Sequence, residues 1–180
     1  MFSFFLLLIF IYCCYVGYRR GLIYEGAMAV GYVISFILTC LLYRPFSIFL
    51  TMWVPYPSAS DNSSFAFFDK TTGLILDKSF YASLAFIIIL LVFYAIWRLL
   101  MISFKKLEYI EINPAINTWG SILVALILTL STLCVLLFIL ATIPGEGLQR
   151  NLQHSLLVNS ILRYTPGLSA LYTHLFITAI

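Results

Sequence analysis

Four long apolar stretches, each bounded by charged and aromatic residues, constrain this chain more than any other feature. They run roughly Phe2–Gly17, Gly26–Tyr43, Phe80–Trp97 and Trp119–Ile143. A helix rises about 1.5 Å per residue, so a hydrocarbon core of about 30 Å takes roughly 17–25 apolar residues to cross. All four stretches meet or approach that length. Composition removes the soluble alternative: 63% of residues are hydrophobic, 9% are charged and the mean hydropathy is +1.05. A soluble domain carries about 25% charged residues, and no water-soluble core of this size hides so much apolar surface. The expected fold class is therefore all-α: an integral membrane protein with four transmembrane helices and a C-terminal amphipathic interfacial helix.

The charges set an expected topology. Arg19 and Arg20 follow the first span, and Arg98, Lys105 and Lys106 follow the third. Short connections dense in Lys and Arg stay in the cytoplasm, which places both termini on the extracytoplasmic side. The connection Thr51–Ser79 is longer and charge-balanced, as suits the outer face. Arg44, Arg150 and Arg163 run against the rule. Met1–Tyr18 has an apolar run with no basic residue before it, the pattern of an uncleaved first helix. All three tryptophans, Trp53, Trp97 and Trp119, fall at span ends, where interfacial belts place indole rings. The net charge of +3 is small and sits beside the spans. That excludes a nucleic-acid partner and leaves the lipid bilayer, with other membrane proteins or further copies of the chain.

The connections and the tail read as follows. Pro55–Ser64 is rich in turn formers and predicts an irregular outer loop, with Phe65, Phe67 and Phe68 dipping into the interface. Asn113-Pro114 breaks the second cytoplasmic connection, and Asn117 or Thr118 is expected to cap the fourth helix. After Pro144-Gly145 the pattern changes, dividing the chain into a bundle over 1–145 and a tail over 146–180. Leu148, Leu152 and Leu156, extended by Leu157 and Ile161, form one apolar side. Gln149, Arg150, Asn151, Gln153, Asn159 and Arg163 fill much of the rest, up to a stop at Thr165-Pro166-Gly167. Such a helix is too polar to span and lies on the membrane surface or covers the bundle. Cys13, Cys14, Cys40 and Cys134 all fall inside spans without CxxC spacing, and are expected as small apolar residues.

The most distinctive local motif is Gly17-Tyr18-Arg19-Arg20-Gly21-Leu22-Ile23-Tyr24-Glu25, at the junction of the first two spans. Gly17 and Gly21 have the GxxxG spacing that permits close helix approach, and Ala27 and Gly31 repeat a small-xxx-small spacing in the second span. Glu25 lies at the membrane edge, where a carboxylate is costly unless paired or hydrated; Arg19, Arg20, Lys105 and Lys106 are its candidate partners. The candidate functional hairpin is therefore Gly17, Arg19, Arg20, Gly21 and Glu25. A structural, salt-bridged Glu competes with one that binds a ligand, an ion or a partner, and with a proton relay, for which no second acidic residue follows Glu25 into the membrane. In the fourth span Gly120, Ser121 and Ala125, with Thr129 beyond, form another small stripe for helix packing. Ser131 and Thr132 can bond back to their own helix and do not by themselves imply a pore. His154 and His174 are the two histidines, and neither stands in a catalytic or metal-binding pattern. No catalytic residue, cofactor or metal site is expected, and no enzyme activity.

With these residues in view, the chain resembles the colicin V production protein family (CvpA), small bacterial membrane proteins with four predicted spans. The family hairpin has the form Gly–x–Arg–Gly–x–x–x–Glu; Gly17, Arg20, Gly21 and Glu25 match it with one extra residue after Gly17. Asn117-Thr118-Trp119-Gly120 resembles the family's entry into a Gly-bearing fourth helix, and Ser155-Leu156 and Pro166 its later segment. The family's several glycines and Arg at the start of that helix are not matched. The resemblance implies the bacterial cytoplasmic membrane and an accessory or scaffold role in colicin V-type bacteriocin production or export and in envelope processes. A similar module occurs fused to periplasmic serine proteases, which suggests anchoring or sensing. The alternative is a small transporter or channel subunit that works as an oligomer.

Overall fold

The computed structural model describes residues 2–55, 76–104, 106–107, 110, 113–143, 146–153, 155, 158, 160–161 and 175. The expected turn-rich loop after Pro55, Lys105, both histidines and the stop at Thr165-Pro166-Gly167 lie outside them. The described elements are helical: α1 Phe2–Arg20, α2 Leu22–Leu50, α3 Leu76–Ile102, α4 Pro114–Thr142 and the short α5 Glu146–Gln153. In lipid the backbone has no water to bond, so a helix satisfies its own polar groups segment by segment. The four long helices are each apolar and long enough to cross a membrane.

The helices outrun the apolar stretches. α2 begins at Leu22 rather than Gly26 and runs through Pro45 to Leu50, 29 residues in all. At about 1.5 Å per residue that is roughly 43 Å, longer than a hydrocarbon core of about 30 Å. Glu25 is therefore in the first turn of α2, not in a connection before it. α4 starts at Pro114, earlier than expected. Asn113 is its cap, accepting a hydrogen bond from the Ala115 N–H at 3.2 Å, with Pro114 at the first helical position. Asn117, expected to cap α4, is inside it and serves another helix.

The chain runs up and down, but packing does not follow chain order. α1 packs chiefly on α4 and barely touches α2; α2 packs on α3 and α4, and α3 on α4. The core between them contains Tyr43, Phe86, Leu90, Cys134 and Val135, all essentially inaccessible. Phe86 meets the edges of Phe36 and Tyr43 at ring-centroid distances of 5.3 and 5.9 Å. The outer faces remain apolar and exposed, as Val30, Ile37, Leu41 and Ile48 of α2 illustrate. Lipid chains are as apolar as these side chains, so burial alone gives the helices no reason to associate. Close packing and interhelical hydrogen bonds supply that reason. Cys134 is buried, Cys13, Cys14 and Cys40 are half-buried, and all four are free thiols.

α5 departs from the expected polar and apolar sides. Gln149, assigned to the polar side, is buried: its Nε2 donates to the Ala141 and Ile143 carbonyls at 3.1 and 2.7 Å. These carbonyls lie at the end of α4, where intrahelical donors run out. Leu152 is buried as expected and Arg150 exposed. Leu152, Val158 and Ile161 join the same core as the long helices. Ser155 meets Ser3 of α1, Oγ to Oγ at 2.8 Å. The described part of the tail thus packs on the end of the bundle where α2 and α4 finish.

Candidate functional site

The opposite end of the bundle holds the Arg-Gly-Glu hairpin, and Gly21 forms its corner. Its backbone has φ 77° and ψ 160°, a combination open to glycine and strained for other residues. Gly21 therefore belongs to no helix face, and the GxxxG reading of Gly17 and Gly21 is replaced by two separate roles. Gly17 is a packing residue: a Cβ there would come within 2.9 Å of Ala125 Cβ and of the Ser121 carbonyl oxygen. It lets α1 lie backbone to backbone on α4. Gly21 instead turns the chain into α2, whose first N–H, at Leu22, donates to Asn117 Oδ1 of α4 at 2.6 Å. A side chain from one helix thereby caps another. Leu22 in turn covers Gly120.

The small pair on α2 also has a tertiary partner. Trp97 of α3 lies over Gly31, where any Cβ would occupy the space of the indole ring. Its Nε1 donates to the Ala27 carbonyl at 3.2 Å. Trp97 is thus a half-buried packing residue rather than a free interfacial anchor, while Trp53 and Trp119 are both 73% exposed, as belt residues should be.

Because α1 leans on α4 and away from α2 and α3, a cleft of about 380 Å³ opens beside the hairpin. Its polar lining comes from all four long helices: Arg20, Glu25 and Tyr32, Tyr94 and Arg98, Thr129 and Thr132. Glu25 is the central group, with only 4% of its surface exposed. Arg20 Nη1 stands 3.6 Å from Glu25 Oε2, an ion pair longer than a hydrogen bond. Among the described residues that Oε2 has no hydrogen-bond partner. Arg20 also lies 5.8 Å from the Tyr24 ring centre, over its face. The first turn of α2 favours a carboxylate, since the helix N-terminus carries partial positive charge. Arg19 is exposed, so of the two hairpin arginines Arg20 makes the pair.

Deeper in the cleft, Tyr32 OH donates to Ser131 Oγ at 3.0 Å and Thr132 Oγ1 lies 3.4 Å from it. Tyr94 meets Tyr32 edge-on at 5.6 Å between ring centres. Thr129 and Thr132 bond back to the Ala125 and Leu128 carbonyls, as expected for hydroxyls in a spanning helix. Sequence reasoning missed Tyr32, Tyr94 and Arg98 as site residues. The spacing held a signal: Tyr32 follows Glu25 by two helical turns, and Tyr94 and Arg98 are one turn apart. A larger groove of about 500 Å³ beside Pro45 is lined by apolar side chains alone, so size does not mark the site.

The colicin V production protein family model matches residues 2–166. An uncharacterized transmembrane protein of Bacillus subtilis (strain 168), YshB, is 28% identical over 163 residues, covering 89% of each chain. No solved structure matches the chain.

Proposed function

This chain belongs to the colicin V production protein family, and we propose that it is a non-enzymatic accessory of the bacterial cytoplasmic membrane whose binding site is the Glu25 cleft. Its role is in the production or export of a colicin V-type peptide toxin and in envelope processes. The observation that carries the binding role is the buried carboxylate of Glu25, which lines a cleft between helices and whose Oε2 has no hydrogen-bond donor among the described residues. A structural ion pair alone would be expected to close to hydrogen-bond length, as charge-assisted pairs do. Deleting the gene from its host should reduce toxin release. The wild-type gene should restore release, and Glu25→Gln should not, although that variant keeps the side chain's shape. Undiminished release from the deletion strain would retire the toxin role. The hydroxyls of Tyr32, Ser131 and Thr132 at mid-bundle favour a second reading, an oligomeric transporter or channel subunit. Solute flux in liposomes that vanishes with Glu25→Ala would select it.

In the orientation we propose, the hairpin end is cytoplasmic and both termini are outside. Arg19, Arg20, Arg98 and Lys106 all belong to the hairpin end, which is the bias that short basic connections impose. In a background without the native cysteines, Met52→Cys should react with an impermeant reagent on intact protoplasts, and Ile110→Cys only after lysis. Both positions are exposed. The reverse pattern would invert the topology.

A further inference from the structure

We infer that the cleft binds one phospholipid with a primary-amine headgroup, its ammonium on Glu25 and its phosphate on Arg98, with an acyl chain lying along the seam of α1 and α4. This deepens the binding role proposed for the cleft and rests on it, but not on the link to toxin production. Three observations carry it. The first is the pattern of charge. Glu25 Oε2 is an acceptor with no donor among the described residues, and an ammonium supplies both a donor and the opposite charge. Arg98 is an exposed guanidinium lining the same cleft, suited to a phosphate. A zwitterionic head that carries both groups matches the pair.

The second observation is continuity. The polar cleft shares Ile9, Leu133 and Leu136 with a neighbouring groove of about 480 Å³, which runs on to Phe5 and Leu140. The 15 positions from Arg20 back to Phe5 correspond to about 22 Å of helix. The combined trough carries its charges at the hairpin end and the Tyr32, Thr129 and Thr132 hydroxyls along its middle, and only the stretch toward Phe5 and Leu140 is lined by apolar side chains alone, the layout of a charged head, a polar neck and an apolar tail. The third is volume. Two turns of a partner helix, about 10–12 Å across and about 11 Å long, fill roughly 900–1,200 Å³, more than a cleft of about 380 Å³ holds; a single acyl chain fills far less. The second acyl chain would remain among the bulk lipids.

Native mass spectrometry of the full chain decides this, after exchange into detergent containing equal amounts of phosphatidylethanolamine, phosphatidylglycerol and phosphatidylcholine. One phosphatidylethanolamine per chain should be retained, with a preference of about tenfold or more over phosphatidylcholine. The choline head has no N–H to give Glu25, and losing a hydrogen bond to a charged group is worth about that factor. Glu25→Gln should erase the preference, and Arg98→Gln should weaken retention of all three lipids. Ile9→Trp, which narrows the trough without touching the charges, should weaken retention and guards against a Glu25 variant that fails to fold. Equal retention of ethanolamine and choline lipids, or a preference for phosphatidylglycerol that survives Glu25→Gln, would overturn the inference. So would displacement of the lipid by a co-purifying protein whose release depends on Glu25. If Glu25→Gln keeps the lipid preference but loses toxin release, the lipid assignment fails and the proposed function stands. If the preference behaves as expected but gene deletion leaves toxin release intact, the toxin role fails and the lipid site stands.

Discussion

Gly31→Ala should destabilise the bundle by about 2–3 kcal/mol, the upper part of the range for overpacking a filled core. The added methyl group would occupy the space of the Trp97 ring, so the indole must leave the groove on α2. It would then lose its hydrogen bond to the Ala27 carbonyl, worth about 1 kcal/mol. Gly26→Ala is the control, on the same helix and with nothing near the new methyl group. It should be neutral or stabilising by up to about 1 kcal/mol, because alanine is the better helix former. Denaturant or thermal unfolding in detergent measures both. The mechanism also predicts a rescue: in a Trp97→Ala background, Gly31→Ala should lose most of its cost. Equal and small effects at Gly26 and Gly31 would mean that Trp97 does not occupy the groove.

Arg20→Ala should cost about 3 kcal/mol at neutral pH. Removing one partner of a buried ion pair typically costs about 3–5 kcal/mol, because the remaining charge stays buried and unpaired. The lower end applies for two reasons. Arg98 lines the same cleft, and the side chain of Arg20 is already 22% exposed. The same variant removes the guanidinium from the face of Tyr24. Glu25→Gln takes away the charge that Arg20 compensates, so the double variant should be more stable than Arg20→Ala alone. Unfolding of the two single variants and the double variant gives the coupling energy directly. Additive effects would show that Glu25 and Arg20 ignore each other at 3.6 Å. Arg19→Ala should change little, since that side chain is exposed.

The hairpin is partly legible in the sequence. Glu25 stands out because a carboxylate at a membrane edge demands compensation, and the nearest arginines are in the same motif. Local pattern does not say which arginine answers, or that Tyr94 and Arg98 arrive from α3 to complete the cleft. Those depend on how four helices are arranged around one another. The spacing of Gly21 from Gly17 suggests a helix-packing role, yet Gly21 turns the chain. GxxxG spacing describes a helix face only if the helix continues through both glycines, and here it stops between them.

Four spans in a membrane follow from the sequence alone, because a bilayer requires long apolar runs and a backbone in lipid must satisfy its own hydrogen bonds. Pairing of those spans is left to the tertiary structure. The long helices are apolar on most sides, so no amphipathic stripe announces an inner face. On α2 the apolar residues Val30, Ile37 and Leu41 face outward, while Ser35 and Thr39 are buried. Lipid accepts either arrangement at similar cost. The selection falls to contacts that local pattern cannot specify: Gly17 against Ser121 and Ala125, Trp97 over Gly31, and Tyr32 on Ser131. The Asn117 cap on α2 and Gln149 at the end of α4 add two more. Each joins residues distant in the chain or on different elements. Of these, Gly17 seats α1 on α4 rather than on its sequence neighbour α2, and that arrangement is what opens the cleft around Glu25.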